Sequence, residues 1–189
     1  MMNNIADENK DNSIEDVLSG ADVIYSSEQV AAVLDEMAMN INTRLAGTNP
    51  LLLCVMKGGI IFTAQLLTRL TCMPELDYIH VTRYQNQTAG NKLDWLVYPQ
   101  TSIKDRTVLI IDDILDQGIT LSAIVEYCKN QGAKEVVSAV LVHKKHDRYK
   151  SDVDCDYVGL EVKDRYVFGY GMDYKGKLRH LDAIYAVAE

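Results

Sequence analysis

The chain has 189 residues, 48% hydrophobic and 24% charged, with only 3 prolines. This globular composition is large enough for one domain to bury a core without disulfides. Its net charge of -8 argues against a protein built around a polyanion, because nucleic-acid binders concentrate lysine and arginine; a phosphorylated small substrate stays open. No apolar run approaches the roughly 20 residues that span a bilayer.

The opening stretch, MMNNIADENKDNSIED, is polar and acidic, unlike a signal or transit peptide. Residues 1–20 therefore read as a flexible lead-in to a cytoplasmic protein. Ser26 and Gln29 suit a capping box. Val30, Val33, Leu34, Met37, Ile41 and Leu45 follow at helical spacing, and Gly47 closes the segment, which predicts an amphipathic helix.

Residues 51–56 (LLLCVM) predict a buried parallel strand that ends at Lys57-Gly58-Gly59, with a helix over 60–70. Residues 77–82 read as the next strand. The segment 83–94, polar and turn-rich with Gly90, reads as a long surface loop that begins at Arg83 and Tyr84. Loops of that length are often lids. The single Trp95 behind it reads as a core anchor.

Residues 107–111 form another buried strand that runs straight into Asp112-Asp113. Leu121, Ile124, Val125 and Cys128 stripe the following helix, which Gly132 ends. Residues 136–142 return as a strand, and 156–162, 166–169 and 183–187 read as short strands around a loop. Strands alternating with helices predict an α/β fold with a parallel sheet flanked by helices. Ligands on such sheets sit beyond the carboxyl ends of the strands. Three polar clusters fall there: residues 57–59, 112–120 and 143–145.

The four cysteines, at 54, 72, 128 and 155, include no C-x-x-C pair and read as small core hydrophobes. His143 and His146 have no third ligand at metal-site spacing and read as surface histidines in a basic loop. Lys145 reads as a solvated neighbour of Lys144. Neither G-x-x-x-x-G-K-[ST] nor G-x-G-x-x-G occurs.

Residues 108–121, VLIIDDILDQGITL, place a buried strand before an acidic pair, a third carboxylate and a glycine turn into a helix. Gly118 permits unusual dihedrals, and the amides at the helix start, with the Thr120 hydroxyl, can hold a phosphate. Asp112 and Asp113 would repel that phosphate and suit sugar hydroxyls or a hydrated magnesium ion. The plainer reading is an acidic turn that caps the helix, but three acids in five positions exceed what a cap requires.

This stretch resembles the phosphoribosyl-pyrophosphate motif of type I phosphoribosyltransferases, and other segments are similar to the hypoxanthine-guanine branch of that family. Met56-Lys57-Gly58-Gly59 looks like its pyrophosphate loop, with a non-proline cis peptide expected before Lys57. Leu141-Val142-His143-Lys144 matches the strand end whose lysine reads a purine 6-oxo group. Val158-Gly159, Tyr166-Val167, Gly169-Tyr170 and Met172-Asp173-Tyr174 follow the family's C-terminal hood in order and spacing. The resemblance runs from about Ser26 to Val187. It implies one domain over 21–189, with a core at about 48–150 and a small hood built from 21–47 and 151–189.

The resemblance implies purine salvage: magnesium-dependent transfer of 5-phosphoribose from phosphoribosyl pyrophosphate to N9 of hypoxanthine or guanine, giving IMP or GMP. By it, Asp112 and Asp113 hold the ribose hydroxyls, and Asp116 exchanges the purine N7 proton. Asp116, Gln117, Gly118, Ile119 and Thr120 cradle the 5′-phosphate, while Lys57, Gly58 and Arg179 hold pyrophosphate. Lys144 donates to the 6-oxo oxygen, Tyr166 stacks on the ring and the Val167 backbone reads the base edge. Asp173 borders the purine and ligates magnesium, with Asp112 and Asp113 as further metal candidates. The implied partners are small-molecule substrates, with no nucleic acid and no membrane, and the implied assembly is a homodimer or homotetramer.

Gln117 stands where the family usually has Thr or Ser, which removes one hydroxyl from the cradle. Two alternatives stay open: a xanthine-preferring transferase, and an RNA-binding, nucleotide-sensing regulator on the same fold, against which the charge of -8 argues. Adenine is disfavoured, because a lysine facing a 6-amino group meets no acceptor.

Overall fold

The structure, a computed structural model, describes residues 13–83, 93–148 and 151–188. In chain order the elements are α1 (Ile14–Gly20), β1 (Asp22–Tyr25), α2 (Ser27–Leu45), β2 (Leu51–Met56), α3 (Ile60–Leu67), β3 (Glu75–Arg83) and β4 (Leu93–Val97). Then come β5 (Thr107–Leu115), α4 (Ile119–Asn130), β6 (Glu135–Lys145), β7 (Tyr157–Lys163), β8 (Val167–Phe168) and β9 (Ile184–Ala186).

Six strands form the main sheet in the order β4-β3-β2-β5-β6-β7. All neighbours are parallel except β4, which pairs antiparallel with β3 at the edge. Successive side chains point to opposite faces, and both faces are covered. Leu52, Leu109, Ile111 and Leu141 pack with α2 and α3 through Leu34, Ile41, Phe62 and Leu66. Leu51, Leu53, Val108 and Ile110 pack with α4 through Leu121, Ile124 and Cys128. This two-sided burial explains why the central strands read as continuous apolar runs.

The hood is a three-stranded antiparallel sheet, β1-β9-β8, which joins the two ends of the chain. Its three strands lie within the two segments expected to build it, and those segments also supply pieces of the core. The buried stripe of α2 lies against the main sheet, and β7 belongs to that sheet's edge. Residues 14–20 form a helix closed by a reciprocal Ser13–Asp16 capping box, where the sequence reads as flexible lead-in. Val17 anchors it against Phe168 and Leu178.

Three other expectations are refined. Of the expected 83–94 loop, Arg83 is the last residue of β3 and Leu93 and Asp94 begin β4, while Tyr84 and the rest of 84–92 lie outside the described residues. Trp95 packs against the core beneath α4, as expected, but from a half-buried position, stacked on Tyr98 and tilted against Tyr127. β5 and β6 run past their apolar segments, to Leu115 and Lys145, so Asp112, Asp113 and Lys144 are strand residues. Among the described residues no helix is long and apolar enough to cross a membrane.

Asp77 ties the turn after β4 to β3. Its carboxylate accepts hydrogen bonds from the amides of Tyr78 (2.7 Å), Gln100 (2.8 Å) and Thr101 (2.7 Å). Burial pushes its pKa up, but those amides outweigh burial and hold it below the ordinary value. Asp77→Ala should cost about 2–3 kcal/mol at neutral pH by orphaning buried donors. A depressed folded-state pKa contributes stability above the unfolded value that is lost as pH falls. The gap between wild type and variant in urea unfolding should therefore narrow below about pH 4.

Candidate active site

β5 carries two carboxylates to the sheet's carboxyl edge. Asp112 Oδ1 accepts from the Asp113 amide (2.9 Å), and Asp113 Oδ1 accepts from the Ile114 amide (2.9 Å). Burial, followed by the adjacent Asp113 charge, pushes Asp112 well above the usual carboxylate range. Burial raises Asp113 as well, against the pull of its hydrogen bonds and of Arg179. Asp112→Asn should remove this tension. In the absence of substrate and divalent cation, its Tm should rise by about 2–4 °C, the shift expected for roughly 1 kcal/mol in a chain of this size.

The turn that follows is shaped by Gly118, which sits in the left-handed region at φ 73°. A Cβ there would lie 2.5 Å from Ser151 Oγ. α4 begins at the next residue with no side-chain cap, so its first-turn amides are available to an anion. Gln117 Oε1 accepts from Arg83 Nη1 at 2.9 Å.

The Met56–Lys57 peptide is cis, as the motif leads one to expect. Gly58 packs on Asp113 so closely that a Cβ would stand 1.8 Å from its carboxylate. Gly171, at φ 102°, lies equally tight on the Gly58 carbonyl. Arg179 Nη1 donates to the Gly171 carbonyl (2.6 Å), and its Nη2 pairs with Asp173 Oδ1 (2.7 Å).

Two joined clefts result. The first, about 310 Å³, is lined by Gly58, Arg83, Asp112, Asp113, Gly118, Thr120, Asp173 and Arg179, among others. The second, about 160 Å³, is lined by Lys144, Tyr166, Val167 and Met172. Asp113, Ile114, Asp116 and Asp173 border both. Lys57, Gln117 and Ile119 stand beside the clefts without lining them. A larger cavity of about 580 Å³ shares Leu115, Asp116 and Gly118 with the first cleft. Its wall carries Asp152, Asp154 and Glu161, and Lys145 is paired with Glu161 at 2.7 Å. That balance suits a phosphate poorly.

The family model for the phosphoribosyl transferase domain matches residues 20–175. The chain belongs to the phosphoribosyl transferase family. A hypoxanthine-guanine phosphoribosyltransferase of Bacillus subtilis (strain 168) is 34% identical over 163 residues, 86% of this chain and 90% of the relative. A hypoxanthine phosphoribosyltransferase crystal structure from Staphylococcus aureus superposes with a TM-score of 0.85 at 26% identity, covering 95% of this chain and 97% of the other. A hypoxanthine-guanine-xanthine phosphoribosyltransferase gives 0.81 at 28% identity, with 89% and 97% coverage. The type I transferase fold expected from the sequence is the one observed.

In this phosphoribosyltransferase, Asp116 has partners that sequence reasoning missed. Arg148 Nη2 lies 3.0 Å from its Oδ1 and 2.8 Å from Asp164 Oδ1. His146 Nε2 lies 2.7 Å from the same Asp116 oxygen. The expectation of surface histidines in a loop is corrected: His143 is half-buried on β6, and the His146 side chain is only 1% exposed. The run of charged residues around His146 signals solvent, and only the tertiary packing reveals its burial.

Among the described residues, no three acids, histidines or cysteines form a ready-made metal cage. Asp173 Oδ1 pairs with Arg179 and its Oδ2 accepts from the Gly176 amide. The all-oxygen donors of Asp112 and Asp113 fit magnesium, which typically uses one or two carboxylates plus substrate oxygens.

Proposed function

We propose that this transferase moves 5-phosphoribose from phosphoribosyl pyrophosphate to N9 of hypoxanthine or guanine, yielding IMP or GMP and pyrophosphate. The observation that carries the reading is Asp116 on the border of two clefts. One has the features of a phosphate site, and the other has an amine, an exposed aromatic face and strand backbone. The Thr120 hydroxyl and the first-turn amides of α4 receive the 5′-phosphate, and Asp112 and Asp113 receive the ribose hydroxyls. Arg83, held by Gln117, adds positive charge where the family hydroxyl is missing.

In the second cleft, Lys144 donates to the 6-oxo oxygen, Tyr166 stacks and Val167 presents backbone to the base edge. The N9 lone pair forms the bond to C1′ as the bond from C1′ to the pyrophosphate oxygen breaks. The N7 proton passes to Asp116. Positive charge develops on the ribose and negative charge on the leaving group. Arg179, Lys57 and the Gly58 amide oppose that negative charge, and such preorganised electrostatics are usually the largest catalytic contribution. The Asp112-Asp113 pair or Asp173 would hold magnesium, which would supply further positive charge to the leaving group. The activated sugar needs shielding from water, and Arg83, at the end of β3 on the wall of the first cleft, is the described residue of the expected lid placed to contribute. A homodimer or homotetramer in the cytoplasm completes the reading.

The test is a panel of hypoxanthine, guanine, xanthine and adenine with phosphoribosyl pyrophosphate and magnesium. Rapid IMP and GMP formation supports the proposal. A dominant xanthine product moves the chain toward the xanthine-accepting activity named for one of its structural neighbours. No product with any base overturns the enzyme reading and favours a nucleotide sensor.

A further inference from the structure

The His146 imidazole is buried, yet neither Nδ1 nor Nε2 has an aligned hydrogen bond. Buried polar groups without partners are uncommon and call for an explanation. An apolar side chain would fill the same space without that cost. The ring stands with Nε2 2.7 Å from Asp116 Oδ1, so a small rotation of the carboxylate turns the contact into a hydrogen bond. Alignments of this kind commonly tighten only in the reacting complex.

We propose that His146 is a positioning residue for Asp116: it fixes the carboxylate through Oδ1 and turns Oδ2 toward the purine N7. The inference rests on the acid/base assignment of Asp116 above. Arg148 contacts the same oxygen, but its side chain is 45% exposed and shared with Asp164. Water screens such a pair and leaves it weak, whereas the buried ring is the fixed partner. His146 also stands two residues beyond Lys144, where β6 ends. One strand end thereby sets both the donor to the 6-oxo oxygen and the orientation of the proton acceptor.

The experiment compares wild type, Asp116→Asn, His146→Leu, His146→Gln and the double variant His146→Leu/Asp116→Asn, with hypoxanthine and phosphoribosyl pyrophosphate. Leucine fills the space without a donor, and glutamine returns an N–H near Nε2. His146→Leu should lower kcat about tenfold, by analogy with the loss of other orienting partners, with both KM values unchanged. His146→Gln should recover most of the loss, and the double variant should be no slower than Asp116→Asn. Full activity in His146→Leu, with Asp116→Asn impaired, overturns the positioning role and leaves the proposed function standing. Equal losses in both backgrounds, or losses confined to KM, make His146 structural and also overturn it. Full activity in Asp116→Asn removes the underlying assignment instead. Should His146→Leu fail to fold, the comparison passes to His146→Gln against His146→Asn. The longer amide should then keep kcat and the shorter lose it, and equal rates would overturn the inference.

Discussion

Asp116→Asn is expected to lower kcat for IMP formation by about 10²–10⁴-fold, the usual contribution of a positioned acid/base, with KM for both substrates near wild type. Asparagine preserves the shape and keeps a carbonyl oxygen for His146 and Arg148, which contact Oδ1 at 2.7 and 3.0 Å. It cannot accept the N7 proton. The ribose and phosphate contacts assigned to Asp112, Asp113, Thr120 and the α4 amides are untouched, so the loss should fall on turnover. Steady-state kinetics with each substrate varied in turn separates the two. A raised KM with unchanged kcat would make Asp116 a binding group and move the proton acceptor elsewhere.

Lys144→Met should act on the other side of the reaction. The substitution keeps the length of the side chain and removes only the ammonium donor. A hydrogen bond from a charged donor contributes about 1.5–3 kcal/mol, so kcat/KM for hypoxanthine and guanine should fall about 10–100-fold, mainly through the KM of the base. The KM for phosphoribosyl pyrophosphate should not move, since Lys144 lines only the smaller cleft. The preference for hypoxanthine over adenine should narrow in the same assay, because the variant no longer sets a donor against the 6-amino group. An unchanged ratio would show that discrimination resides in the backbone near Val167.

Much of this architecture is legible in the sequence. The runs 51–56, 107–111 and 136–142 announce buried parallel strands because covered sheets demand apolar side chains on both faces. The acids and Gly118 announce the anion turn because few other uses require that grouping. The strand ends are harder to see. At Asp112, Asp113 and Lys144 the side chains turn polar while the backbone ladder continues, as in the pairings Asp112 with Val140 and Lys144 with Val162. Hydrophobicity records what a residue faces, and the ladder records what its backbone does; the two part company where strands enter a site. α1 escaped notice because a seven-residue helix with one buried side chain carries almost no periodic signal. His146 escaped because its burial depends on elements distant in sequence.

The two clefts meet along only four residues, Asp113, Ile114, Asp116 and Asp173. Beyond that seam the first cleft draws on β2, the Gly58 loop, β3, β5, α4 and Arg179, and the second on the end of β6 and the segment around β8. Substitutions at Lys144 or Tyr166 can therefore retune which base is accepted without disturbing the grip on the sugar phosphate. A lineage that needs a new base can explore that wall alone, and a designer can do the same with a small library at those positions.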